Sequence, residues 1–253
     1  MEEKNPIQVA DRIFQVIEEL AFSGPCRLSE LSERLNLNKS TVHRILNSLI
    51  YMGYATQDSF TSQYSLSFRI CELSNQIMTK LDVVDRIRPY LKALVSKTGE
   101  TVHLVQVDGT KAVYIDKVES YTNSVRMVSK VGKSIPLYRS AVGKAILAEL
   151  SDSEIKAIWE QSDIRLVTPH TIVVYDEFLK LIEKIRENGF STDDEENELG
   201  VRCVAVALPD YQKSPKYAIS ISAPSTRMNE KRVRELAEHL LELKKEIAEK
   251  KLF

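Results

Sequence analysis

A chain of 253 residues exceeds what one compact core usually holds, so two domains are expected. Its 43% hydrophobic and 28% charged residues and formal net charge of −1 exclude a disordered chain and a strongly polyanion-binding one. No apolar run approaches the roughly 20 residues that span a bilayer, the N-terminus MEEKNPIQVADR lacks the apolar segment of a signal peptide, and Cys26, Cys71 and Cys203 lie far apart without a CxxC pair, so the chain is expected in the cytoplasm with no disulfide framework, metal site or cofactor.

In chain order, Ile7 to Phe22 places Ile7, Ala10, Ile13, Phe14, Ile17 and Leu20 or Ala21 on one helical stripe, and Gly24-Pro25 ends it. This first helix either closes the local core or meets a second copy of the chain. Leu28, Leu31 and Leu35 follow at helical spacing, and Val42, Ile45, Leu46 and Leu49 repeat the stripe after a polar break. Asn36-Leu37-Asn38 has the chemistry of a tight turn: Asn36 tolerates a left-handed conformation, Leu37 plugs the inter-helix core and Asn38 caps the next helix. A helix-turn-helix is predicted. Gly53 stops its second helix, and Tyr54 to Gln57 and Gln63 to Leu66 read as strands around Asp58 to Ser62, which makes residues 1–66 a winged helix.

With the apolar stripe turned inward, Ser40, His43, Arg44 and Asn47 share the opposite face of that second helix, joined at its start by Lys39 and Thr41. Arg44 suits a guanine edge and Asn47 an adenine edge, while Lys39, Ser40 and Thr41 suit phosphates. The face points to double-stranded DNA. Acidic residues match the basic ones from Met1 to Leu81, and the wing tip carries no Lys or Arg. Counterion release therefore adds little, and binding leans on dimerisation.

Phe68, Ile70, Leu73 and Ile77, then Val83, Val84, Ile87, Leu91, Leu94 and Val95 up to Gly99, predict a helical connector over residues 67–99, kinked or started by Pro89. From Thr101 the period becomes alternating: TVHLVQV, Asp108-Gly109 and AVYIDKVES predict a hairpin. Ser124 to Val131 suggests another strand, and GKSIPLYRS a loop. Helices are expected over Ala141 to Leu150, from Ser151-Asp152 through Trp159, and over Asp176 to Asn188 before Gly189. FSTDDEENELGVRCVAVAL, a turn at Pro209 to Pro215, the strand KYAISISA and a long helix from Asn229 complete the chain. Strands and helices interleave without regular βαβ spacing, so residues 100–253 are expected to form an α+β domain with an antiparallel central sheet.

In that domain Cys203, Ala205 and Ala207 alternate against Val204, Val206 and Leu208, and Ala218, Ser220 and Ser222 against Ile219 and Ile221. If the two strands are neighbours, Cys203, Ser220 and Ser222 line one shallow concavity; the competing reading is that helices pack closely on the small side chains. Ser140, Ala141 and Val142 open a helix whose free amides suit an anion, and Asp193, at the head of an acidic run, can accept hydrogen bonds from ligand hydroxyls. The set describes a pocket for a small hydroxy or keto acid.

STVHRILNSL in the winged helix, the GKSIP and SAVGKAILAEL segments, and above all GFSTDDEENELGVRCVAVALPD followed by AISISAPSTR, resemble the IclR family of bacterial transcriptional regulators over essentially the whole chain. The resemblance implies a GAF-like effector-binding domain for residues 100–253 and binding of palindromic operators as a homodimer or dimer of dimers. It also implies an organic or sugar-derived acid as effector, of which keto-deoxygluconate is one kind, contacted by Ala141, Val142, Asp193, Cys203, Ser220 and Ser222. A cysteine-dependent enzyme, with Cys203 as nucleophile, His103 or His170 as base and Asp193 as orienter, is the alternative class; no local motif joins these residues, so no catalytic residue is assigned. A winged helix used for protein contacts alone is the third.

Overall fold

The computed structural model describes residues 5–120, 127–208 and 215–252. Chain contacts divide it into two units, Met1–Lys80 and Leu81–Phe253. The first holds helices α1 (Gln8–Ser23), α2 (Leu28–Arg34) and α3 (Lys39–Tyr51), the two-stranded wing β1 (Ala55–Gln57) and β2 (Tyr64–Leu66), and α4 (Arg69–Met78). Its core is Val16, Leu20, Cys26, Leu31, Val42, Ile45, Leu46, Leu49, Ala55 and Tyr64. Asn36 adopts the expected left-handed conformation at φ 50°, and half-buried Leu37 packs on the core while its carbonyl accepts from Ser32 Oγ at 2.5 Å. Asn38 precedes α3 in extended conformation, but its side chain makes no capping bond. The wing is anchored by a backbone bridge that pairs Cys26 with Tyr64.

Two further expectations for this unit change. The α1 stripe is rotated: Val16 and Leu20 are buried with Ile13 and Ile17 beside them, while Ile7 and Phe14 are 65% and 61% exposed. Phe14 lies nearly half a turn from Val16, so both cannot face one core. Phe68, just before α4, and Leu73 and Ile77 within it are exposed, and the helix buries no residue at all.

The second unit contains α5 (Asp82–Thr98), β3 (Thr101–Asp108), β4 (Lys111–Val118), β5 (Ser134–Pro136), α6 (Ala141–Ala148), α7 (Asp152–Gln161), α8 (Tyr175–Asn188), β6 (Ser191–Asp194), β7 (Val201–Ala207), β8 (Tyr217–Pro224) and α9 (Glu230–Glu249). The stretch expected as a connector is therefore divided: α4 belongs to the first unit and α5 packs on β3 and β4 of the second. Six strands form one sheet in the order β5-β4-β3-β8-β7-β6, every pair antiparallel. The hairpin loop is Gly109-Thr110 rather than Asp108-Gly109: Asp108 pairs with Lys111, and glycine takes the left-handed φ of 59° without strain. Of the strand expected at Ser124 to Val131, residues 124–126 lie outside the described ones and Met127 to Val131 make no ladder. The edge strand β5 instead falls inside the expected loop. The turn expected at Pro209 to Pro215 lies outside the described residues except for Pro215.

One sheet face, carrying buried Val204, Val206, Ile219 and Ile221, is covered by α5 and α9. On the other, Ala205, Ala207 and Ala218 join Val105 and Ala112 in a core with residues of α6 and α8. Their small size lets α6 approach closely, and on another side Gly143 meets the loop after β5: a Cβ there would overlap the Leu137 main chain.

Candidate functional site

On α3, Lys39, Ser40, His43, Arg44 and Asn47 are exposed, and Thr41 is half-buried. Val42, Ile45, Leu46 and Leu49 hold the opposite side in the core, so the helix presents its donors outward. Asn47 Nδ2 and His43 Nδ1 lie 3.5 Å apart. In the wing, Asp58 Oδ1 accepts from the amides of Phe60 and Thr61 at 2.9 and 2.7 Å, which fixes the turn without contributing a cation.

Beyond the part of the sheet covered by α6, the small-residue face opens into a cavity with two adjoining lobes that share Tyr114, Ser129, Ile135 and Asn197. The inner lobe, about 50 Å³, is lined by His103, Asp193, Cys203 and Ser222, the outer, about 250 Å³, by Lys133 and Arg139, and Glu198 lies at the rim of both. Register places these inner side chains together: Cys203 pairs with both Asp193 and Ser222 across neighbouring strands. Ser222 Oγ lies 3.1 Å from Cys203 Sγ and 3.4 Å from His103 Nδ1, and His103 Nε2 meets Ser129 Oγ at 2.7 Å.

The acidic run is tied down by hydrogen bonds and ion pairs. Asp193 Oδ1 accepts from the amides of Glu196 and Asn197 at 2.8 and 3.3 Å. Glu196 is paired with Lys144, which is fully buried, and Asp194 with Arg202. Thr168 and Thr171 donate to the carbonyls of Glu195 and Glu196, each at 2.7 Å. Burial, reinforced by the Glu196 carboxylate and opposed by Lys144, pushes the Asp193 carboxyl up to about 7. Burial, with Lys117 nearby, holds the His103 imidazole down at about 3. Burial first, then the Asp193 charge, raises the Cys203 thiol, and burial raises the Tyr114 phenol. At neutral pH the inner walls around the Asp193 carboxyl group are therefore an uncharged imidazole, thiol, phenol and hydroxyl, with Glu198 at the rim. A thiol pushed up is a poor nucleophile, and its nearest ring nitrogen is one hydroxyl away, while His170 is exposed and lines neither lobe.

The other predicted effector positions lie behind these walls. Ser140 caps α6, accepting from the Gly143 amide at 3.2 Å and donating to the Pro136 carbonyl at 2.8 Å. Ala141 and Val142 are buried in the helix-sheet core, and Ser220 is buried beside Ala205 and His103; none of the four lines either lobe. Sequence reasoning missed Tyr114, His103 as a wall residue, Lys133, Arg139 and Lys144. The GKSIPLYRS cations were the available signal, masked by its reading as a plain loop. Among the described residues no group of side chains suits a metal ion, and no helix is long and apolar enough to cross a membrane.

Comparison with known proteins agrees with this architecture in both units. The model of the IclR helix-turn-helix domain matches residues 9–59, and that of the bacterial transcriptional regulator IclR C-terminal domain matches residues 75–249. The HTH-type transcriptional regulator KdgR of Escherichia coli (strain K12) is 33% identical over 235 residues, covering 92% of this chain and 89% of that protein. The DNA-binding transcriptional repressor YiaJ of the same organism is 35% identical over 211 residues, 83% of this chain and 75% of its own. The crystal structure of the Thermotoga maritima IclR superposes with a TM-score of 0.77 at 30% identity, covering 97% of this chain and 99% of that one. These relatives are transcriptional regulators, not enzymes. The chain belongs to the IclR family of bacterial transcriptional regulators, and pairs a DNA-binding helix-turn-helix domain with an effector-binding C-terminal domain.

Proposed function

We propose that the C-terminal domain senses a small organic or sugar-derived acid, that Asp193, Cys203 and Ser222 touch it, and that α3 reads a palindromic operator in the cytoplasm as a homodimer or dimer of dimers. The cavity carries the sensing half of this reading: hydrogen-bonding groups without bulk converge on a space sized for a small polar molecule. Ser140, Ala141, Val142 and Ser220 support its wall; Ser191 Oγ ties the Ala141 carbonyl to the strand that carries Asp193. On the DNA side, Arg44 and Asn47 contact bases while Lys39, Ser40, Thr41 and His43 hold the backbone. The exposed apolar side chains of α1 and α4, Phe14, Phe22, Phe68 and Ile77, suit a second copy of the chain.

A thermal-shift screen of the full chain against hydroxy and keto acids, 2-keto-3-deoxygluconate among them, tests the sensing half. A ligand in large excess over its Kd raises stability by roughly 2–4 kcal/mol. No shift with any acid, or an undiminished shift in Asp193→Asn, overturns it. A gel shift on the promoter of its own operon across a salt series tests the other half: binding that neither weakens with salt nor distinguishes operator from random DNA removes the assigned α3 contacts.

A further inference from the structure

The two lobes of the cavity differ in charge, and the difference orients what fills them. In the inner lobe Asp193 and, at the rim it shares with the outer lobe, Glu198 are the carboxyl groups, and the cations nearby are engaged: Lys144 pairs with Glu196, and Lys117 donates to the Met127 and Ser129 carbonyls at 2.8 and 2.7 Å and pairs with Glu119. An anion placed there meets a second negative charge and no available positive one. The outer lobe is the reverse. Lys133 and Arg139 line it, and neither forms an ion pair among the described residues. The Arg139 Nε is buried without a hydrogen-bond partner, and its guanidinium lies 5.9 Å from the Tyr138 ring centre. Glu198, exposed at the rim of both lobes, leaves the balance of the outer one positive. The Arg139 side chain as a whole is half-buried at the cavity wall, and a guanidinium there without an ion pair suits a planar oxyanion.

Resting on the sensing reading above, we propose that Arg139 determines specificity by binding the effector's carboxylate in the outer lobe. Lys133 adds charge there, and the hydroxyl or carbonyl groups at the ligand's other end reach Asp193, Cys203 and Ser222. The ligand class this selects is an extended, polyhydroxylated acid that spans both lobes, rather than a compact one such as pyruvate.

The test is titration of the full chain by calorimetry with 2-keto-3-deoxygluconate, gluconate and galacturonate, with gluconamide and methyl galacturonate as neutral counterparts and pyruvate as a compact acid. Wild type should prefer an extended acid over its neutral counterpart by about 10-fold or more. Arg139→Gln should lose that preference while keeping its affinity for the neutral counterpart, and Arg139→Lys should keep part of it, which separates charge recognition from a folding defect. Wild-type preference in Arg139→Gln, equal binding of acid and neutral counterpart by wild type, or tightest binding of pyruvate overturns the assignment. If Asp193→Asn weakens acid and neutral ligand alike while Arg139→Gln changes nothing, the sensing reading stands and only the Arg139 inference falls. If no probe binds wild type, both fall.

Discussion

At Asp193 the chain keeps a carboxyl group away from water, held by two backbone amides and one turn from a buried ion pair. Its pKa of about 7 in the folded protein stands above the ordinary 3.8. The folded state therefore holds this proton more tightly than the unfolded chain. The stability it contributes is full below the ordinary value and is lost as pH rises through about 7. Asparagine keeps the Oδ1 acceptor and does not titrate. Thermal melts should show Asp193→Asn gaining on wild type between pH 5 and pH 8, by on the order of 2 kcal/mol; a difference independent of pH would contradict the assignment. On α3 the residue-scale test concerns DNA. Arg44→Ala should cost about 1–3 kcal/mol on operator and relax specificity at one base pair of each half-site, whereas Lys39→Ala should weaken all sequences alike and flatten the salt dependence. Equal losses on operator and random DNA for Arg44→Ala would remove Arg44 from base reading.

Among the elements, α6 is the one on which the sensor's architecture turns, because it packs on the small-residue face of the sheet and meets the loop after β5 main chain to main chain. Gly143→Ala puts a methyl group into the Leu137 backbone, which cannot swing aside as a side chain can. A loss of about 1–3 kcal/mol or more is expected in a denaturant melt, and an unchanged midpoint would mean the approach is looser. This helix also marks where the sequence stopped being legible. Helical stripes, the Asn36 turn, the hairpins and the long C-terminal helix follow from period and punctuation, and the structure places them within a few residues. The alternation of small residues in β7 and β8 was equally readable, but it carried two outcomes at once. Ala205, Ala207 and Ala218 lie under α6 and α8, while Cys203 and Ser222 face the cavity. Where the covering helices end over a sheet is a tertiary fact, absent from the strand's own pattern. The same holds for Lys144: a lysine in a helix reads as solvated until Glu196, far along the chain, is brought against it. β5 escaped because three residues ending in proline carry too little period to register.

For the whole molecule the question is how a ligand in the C-terminal domain alters operator binding. The two chain units carry separate cores, and a palindromic operator demands two recognition helices at a fixed spacing. An effector acts only through differential affinity: if it binds one arrangement of the protein more tightly by about 1–3 kcal/mol, operator affinity shifts by the same factor, and operator DNA changes effector affinity reciprocally. Asp193→Asn combined with Ser222→Ala exchanges a carboxyl group for an amide, deletes a hydroxyl on the inner wall and touches nothing in Met1–Lys80. Operator binding without effector should stay close to wild type, and the effector concentration needed to change it should rise about 10-fold or more. The measurement is a pair of titrations, operator against protein at several effector concentrations and effector against protein with and without operator, for both proteins. A wild-type midpoint in the double variant would put the ligand somewhere other than this cavity. Unequal coupling factors from the two wild-type titrations would mean that more than one ligand-binding event is being read.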